Sequence, residues 1–367
     1  MSPQIIFSDV DGTLLNSDHK VLPGTLYAIR ELQDKGVPFV IISGRKVLLS
    51  FFIFLITLMV CVSGTFSYAE DEDYSQGFYQ SQTIVAEKWA QFEKLDLDSG
   101  WFTGYRLPAD VYAFFEMPYE QDDCCFLILG KEKALLWDTG MGIDHLRPLV
   151  EKITDLPVTV LISHDHFDHI GGNAEFDEVW CYDIDTAISH LTDGPTAEEM
   201  EELKTEMQLL STVMDISGIT VPDHIPGKAP TGTVKDGQLI DLGGRILEVL
   251  YTPGHTTSSI MLLDSENKLL FTGDMYYPGP LTAIDEDSSF PDYVASMRKV
   301  ADRAADEKIE WVYCSHNYVE KGTDHLSRLA DFLEGIQNGE ITDCEWIFDF
   351  LWYSMDDEIS ICLPSVI

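Results

Sequence analysis

Leu156–Asn173 reads LPVTVLISHDHFDHIGGN, and the junction inside it decides the fold. Leu156–Ile162 is a short apolar run rich in valine, which predicts a strand buried on both faces. Directly beyond Ser163 come His164, His166, Asp168 and His169, then Gly171 and Gly172. Side chains on a loop at the end of a strand can converge on one point. Neutral imidazoles together with a carboxylate are ligand chemistry suited to zinc, iron or manganese. A merely solvated polar loop would rarely place three histidines at this spacing.

Four more stretches repeat the pattern of a strand that ends in a polar residue. LLWDTGMG places Asp138 in a strand-to-glycine turn, and TPGHTTSS places His255 on a Pro-Gly turn after the strand Ile246–Tyr251. LLFTGDMYY ends a strand at Asp274, and WVYCSHN carries His316 past a third. Each is weak alone, because a single histidine after a strand is usually just a satisfied polar group. Five of the ten histidines fall in this series, however, and the joint occurrence carries the inference.

The order HxHxDH, then H, D and H resembles that of the metallo-β-lactamase superfamily, across most of residues 100–335. The resemblance implies an α/β fold, the four-layer αββα sandwich, with two divalent metal ions at one edge between the sheets. Zinc is the expected metal, with iron or manganese as alternatives. His164, His166 and His255 would hold the first ion, and Asp168, His169 and His316 the second. Asp274 would bridge both, and Asp138 would orient a ligand histidine. A hydroxide shared by the two ions would attack a carbonyl or phosphoryl centre, with Asp168 moving a proton.

Within the superfamily, an aspartate at the Asp274 position resembles the thioester, lactone and phosphodiester branches rather than the antibiotic-hydrolysing β-lactamases. His166 stands where the flavo-diiron branch usually has Glu. Tyr277 is similar to a tyrosine of the acyl-homoserine-lactone lactonases, which could donate a hydrogen bond to a substrate carbonyl. The basic residues that bind glutathione in glyoxalase II are not evident. The expected function is a hydrolase of an ester, thioester or lactone small molecule. A phosphodiesterase, or a membrane-anchored metal-binding protein without turnover, are the alternatives.

The 367-residue chain carries a formal charge of -40, and residues 70–367 hold all of it, with 58 Asp and Glu against 18 Lys and Arg. Such a surface repels nucleic acid and anionic lipid. Residues 47–66 form an apolar stretch preceded by Arg45 and Lys46 and followed by Ser67-Tyr68-Ala69. That is the layout of a signal peptide or transmembrane helix, and it predicts a hydrolase domain exported or anchored outside the cytoplasm. If the segment stays uncleaved, the membrane is a partner through it.

Residues 1–46 begin MSPQIIFSDVDGTLL and read as strand, helix and strand. They resemble the opening of a haloacid-dehalogenase-type phosphatase, in which Asp9, Asp11 and Ser43 would act. This βαβ fragment lacks that family's later lysine and acidic pair, so it does not set the activity.

The domain plan is therefore residues 1–46, the hydrophobic segment 47–66, a lead-in 67–99, the hydrolase 100–340 and an apolar tail 341–367. The tail is expected to pack on the sandwich or on an oligomer partner. Thr196–Met214, with methionine and leucine at helical spacing, reads either as a lid or as a packed surface helix. Adjacent Cys124 and Cys125 read as buried thiols.

Overall fold

Alternating apolar segments and glycine-marked turns build three sheets in the larger part of the chain. The computed structural model describes residues 6–9, 39–42, 84–116, 122–210, 218–347 and 350–365. The chain divides into two compact units, Met1–Phe54 and Leu55–Ile367. In the first, strands β1 (Ile6–Asp9) and β2 (Phe39–Ile42) pair in parallel, Ile6 opposite Phe39. Parallel neighbours need a crossover between them, as the strand-helix-strand reading requires. Asp11, Ser43 and the helix expected between the strands lie outside the described residues. So does the apolar segment 47–66, and among the described residues no helix is long and apolar enough to cross a membrane.

Among the described residues, the second unit starts with a helical segment at residues 84–89. Its first sheet contains β3 (Glu93–Leu95), β4 (Thr103–Leu107), β5 (Val111–Phe115), β6 (Cys124–Leu129), β7 (Ala134–Trp137), β8 (Val158–Leu161), β9 (Glu178–Tyr182) and β10 (Gly232–Val234), side by side in that order. Strands β3 to β7 are antiparallel, and β7 to β10 are parallel. The second sheet has the order β11 (Leu239–Asp241), β12 (Ile246–Tyr251), β13 (Ile260–Asp264), β14 (Leu269–Phe271), β16 (Trp311–Tyr313) and β17 (Glu320–Lys321).

Between the two sheets lies a core that includes Phe126, Trp137, Leu161, Phe271 and Tyr313. The Phe126 and Tyr313 rings stack at 5.5 Å between centroids, one from each sheet. The outer face of the first sheet is covered by α1 (Arg147–Ile153), α3 (Asp185–Asp193) and α4 (Ala197–Leu210). The outer face of the second is covered by α5 (Phe290–Glu307) and α6 (Asp324–Gln337). These are the four layers of an αββα sandwich. Helix α4 is packed rather than a free lid: Met200, Leu203 and Met207 sit in the core against the first sheet.

The segment expected as a separate tail is part of the fold. A third sheet runs β15 (Pro280–Thr282), β20 (Ser360–Pro364), β19 (Phe350–Ser354) and β18 (Glu345–Ile347). Leu351, Ile361 and Leu363 join the core under α5 and α6. The apolar composition read as a tail is thus one face of a sheet. Cys124 and Cys125 are buried free thiols, as expected.

Candidate metal centre

At one edge the two central sheets are stitched together, and the polar strand ends meet there. The Ile260 amide donates to the Ser163 carbonyl (2.9 Å) and the Cys124 amide to the Ser315 carbonyl (2.7 Å), each bond crossing from sheet to sheet. Ser163, two residues past β8, and Ser315, two residues past β16, are thereby fixed, and His164 and His316 follow them. The HDHFDH loop turns at once into the short helix α2 (Phe167–Ile170), which places Asp168 and His169 on one side. This tight return needs glycines. Gly142 has φ +72°, and a Cβ there would lie 2.6 Å from the Gly171 carbonyl oxygen.

Every histidine and aspartate expected in the site is brought together. Three overlapping groups have ligand atoms within 4.8 Å of one another: His164, His166 and His255; His164, His169 and Asp274; Asp168, His169 and His316. Asp274 is central, with Oδ2 at 2.9 Å from His316 Nε2, 3.6 Å from His255 Nε2 and 3.8 Å from His164 Nε2, and Oδ1 at 3.2 Å from His169 Nε2. Asp168 Oδ2 lies 3.7 Å from His169 Nε2 and 4.0 Å from His316 Nε2.

Each of the five imidazoles turns one nitrogen to this centre and the other to an outer partner. His169 Nδ1 meets Asp138 Oδ2 at 3.0 Å, while Asp138 also accepts from the Ser163 amide (2.7 Å) and the Ser315 hydroxyl (3.2 Å). His316 Nδ1 meets Asp123 Oδ1 at 2.8 Å. His255 Nδ1 reaches the Thr282 carbonyl at 2.9 Å, on the strand that the third sheet holds. His164 Nδ1 pairs with the Ser163 hydroxyl at 3.0 Å. His166 directs Nδ1 at His255 Nε2 (3.1 Å) and Nε2 towards Asp285 (3.6 Å).

Among the described residues, His164 Nε2, His169 Nε2 and Asp274 Oδ1 are buried without a well-aligned hydrogen bond. Buried polar groups left in this state are costly. Inward-facing nitrogens and carboxylates, held by outward hydrogen bonds, are what a divalent ion requires. The residues present fit such a group.

The electrostatics are those of a crowded centre of mixed sign. Burial alone lowers His169 and His316, but Asp274 and neighbouring carboxylates outweigh it and raise both well above the ordinary histidine value. His164 falls well below its ordinary value through burial and the nearby His169. Asp274, against the effect of burial, is held low by His316, His169 and His164. Burial pushes Asp123 up to about 6, with His316 opposing.

Tyr277 sits beside the centre, its ring 4.8 Å from that of His316, but its hydroxyl donates to the Pro280 carbonyl at 2.6 Å. The expected role as donor to a substrate carbonyl is not the geometry observed; a tight turn at Pro278–Pro280 takes the hydroxyl instead.

Sequence reasoning missed Asp123, Asp285 and a second array around Asp165. His190 on α3 bridges Asp165 (3.4 Å) and Glu199 of α4 (3.2 Å), and Asp165 also accepts from the Ser258 hydroxyl. These two acceptors raise His190 to about 10. The latch ties the helical layer to the histidine loop. Asp165 lies inside the HDHFDH motif, yet its partners are far along the chain, so only Asp123, beside Asp122 at a strand entry, left any local signal.

Comparison with known proteins agrees with this geometry. The sequence profile of the metallo-beta-lactamase superfamily matches residues 124–316, and that of haloacid dehalogenase-like hydrolases matches residues 6–98. The chain is 28% identical to the acyl-coenzyme A thioesterase MBLAC2 of Gallus gallus over 250 residues, covering 63% of this chain and 85% of that protein. It is 28% identical to the Homo sapiens protein of the same name, covering 63% and 86%. A hydroxyacylglutathione hydrolase of Synechococcus sp. is 27% identical over 208 residues, covering 55% of this chain and 67% of that one. The superfamily profile spans more than half of the sequence and includes every histidine and aspartate expected in the centre. The chain belongs to the metallo-beta-lactamase superfamily and is a hydrolase of that superfamily.

Proposed function

We propose that the chain hydrolyses a small-molecule ester, thioester or lactone at a centre for two divalent ions, with zinc as the metal. One observation carries this reading: five imidazoles converge with one nitrogen each, while their other nitrogens are tied to Asp138, Asp123, Ser163, the Thr282 carbonyl and the Asp285 side. His164, His166 and His255 would hold one ion, Asp168, His169 and His316 the other, and Asp274, within reach of four of these histidines, would bridge them. When bound, such ions supply Lewis acidity, lowering the pKa of water and polarising a carbonyl oxygen.

The remaining chemistry belongs to the chain. Asp138 and Asp123 hold His169 and His316 in the tautomer that leaves Nε2 free to face inward. Asp168 sits between those two nitrogens and is placed to take a proton from water and return it to the leaving group. His166 is the most accessible member, with 29% of its side chain exposed against 8% or less for the others, so substrate enters on its side. Tyr277 supports His316 through its ring. The names of the relatives favour a thioester, and a bridging carboxylate at Asp274 accords with acyl transfer to water.

The test is turnover of a panel of esters, thioesters, lactones and phosphodiesters by metal-replete protein, with Asp274→Ala as control. Turnover of acyl substrates lost in the variant supports the reading. Turnover of phosphodiesters alone would replace it with the phosphodiesterase alternative, and a metal-loaded protein inert to all would favour a binding role. We further infer export or membrane anchoring from the apolar run 47–66. Mass spectrometry of the mature protein's N-terminus checks this: a start at Glu70 supports cleavage, and an intact Met1 on a protein recovered without membrane would refute export.

A further inference from the structure

One carboxylate stands on the accessible side of the centre. Asp285 lies 3.6 Å from His166 Nε2 and is half exposed, 49% of its side chain, at the point where substrate enters. It is held there by its loop. The Ser288 hydroxyl donates to the His255 carbonyl, the Asp287 carboxylate accepts from the Thr257 amide (3.0 Å) and hydroxyl (3.1 Å), and the Ser289 amide donates to the Gly254 carbonyl (2.8 Å). Asp285-Glu286-Asp287 is thus strapped to the turn that carries His255.

No Lys or Arg lies in the two segments that supply Asp285 and the histidine loop. Residues 269–297 contain five Asp and Glu and no Lys or Arg, and residues 157–203 contain twelve Asp and Glu and no Lys or Arg. The bases that follow, Lys204, Lys228 and Lys235, are few, and Lys204 and Lys235 pair with Asp223 (3.5 Å) and Asp183 (3.0 Å). His190 is taken up by Asp165 and Glu199, and Arg147 of α1 by Glu151 (2.8 Å) and Asp177 (3.3 Å).

We propose that this centre takes acyl substrates whose leaving group is neutral or cationic, and discriminates against polyanionic carriers such as coenzyme A. The inference rests on the acyl-hydrolase reading above and adds the leaving-group class to it. Like charges brought together at a site are unfavourable, and an acidic mouth slows the approach of anions while attracting cations. The reaction itself balances without a co-reactant. Water adds to the acyl carbon, the carbon–sulfur pair leaves with sulfur, and one of water's protons goes to the thiolate, giving carboxylic acid and thiol.

The test uses the full, metal-replete protein and one acyl group on three thiols: thiocholine, N-acetylcysteamine and coenzyme A. Each kcat/KM is divided by the rate of the same thioester with hydroxide in free solution. The expected order is thiocholine, then N-acetylcysteamine, then coenzyme A, the ends separated by at least about tenfold at low salt and converging at high salt. Asp285→Asn should shift the thiocholine to coenzyme A ratio by roughly three- to five-fold towards coenzyme A. A purely structural lesion would lower all three together and leave the ratio unmoved, which would overturn the role of Asp285. Coenzyme A equal to or better than thiocholine in the native protein would overturn the proposal while leaving the acyl-hydrolase reading intact. No turnover of any thioester, ester or lactone would overturn both.

Discussion

Asp138→Asn isolates what an outer carboxylate does for the centre. Asp138 stands at φ +62°, a left-handed conformation that asparagine also tolerates, so the backbone has no cause to move. The side chain keeps its shape, and the oxygen that accepts from the Ser163 amide at 2.7 Å can remain in place. The other position, which receives His169 Nδ1 at 3.0 Å and the Ser315 hydroxyl at 3.2 Å, becomes an amide NH2. A donor then faces a donor. His169 can accept that NH2 only by moving its own proton to Nε2, the nitrogen that points at Asp274 and Asp168. Outer-sphere substitutions of this kind cost about 10- to 100-fold in metal affinity. A lost hydrogen bond to a charged group adds a stability loss of about 2 kcal/mol in the metal-free protein. Competition against a fluorescent zinc chelator reads the affinity, with urea denaturation of the apo protein in parallel. Unchanged affinity for both ions in a folded variant would refute the inference that Asp138 sets the His169 tautomer.

Three further outcomes are expected. Asp123→Asn should weaken metal binding selectively, one ion being lost before the other in the same chelator titration, because Asp123 serves only His316 (2.8 Å) among the five imidazoles. Arg245→Ala should cost roughly 3–5 kcal/mol in urea denaturation while leaving metal content unchanged, since it strands the buried Asp264 that Arg245 meets at 2.7 Å, away from the centre. The third concerns His190, whose value in the folded chain is raised to about 10. Its contribution is complete below the unfolded histidine value of about 6.5 and disappears as pH rises through 10. Discounted for partial exposure, this is roughly 1–2 kcal/mol of stability lost across that window in the native protein and absent in His190→Gln, measured by denaturation at several pH values.

The centre was legible because its signals are local. His164, His166, Asp168 and His169 lie on one loop after one strand, and His255, Asp274 and His316 each follow a strand whose apolar run is plain in the sequence. Their outer partners were not legible. Asp123 meets His316 across two sheets, and Asp285 meets His166 from a loop more than a hundred residues away. The C-terminal strands read as a tail because their partner β15 is only three residues long and begins with proline. That pairing matters for function, since Thr282, opposite Cys362, supplies the carbonyl that holds His255. The helix α4 shows the opposite case: its methionine stripe gave the element, while packing against the first sheet decided its role.

The central claim is that these side chains form a site for two divalent ions, and elemental analysis tests it most directly. Protein purified without chelators and equilibrated with buffered zinc should carry about two ions per chain. Asp274→Ala, which removes the carboxylate shared by four histidines, should carry fewer at the same free zinc while remaining folded by circular dichroism. Native protein that retains no zinc, or an alanine variant that retains as much as the native chain, would contradict the account.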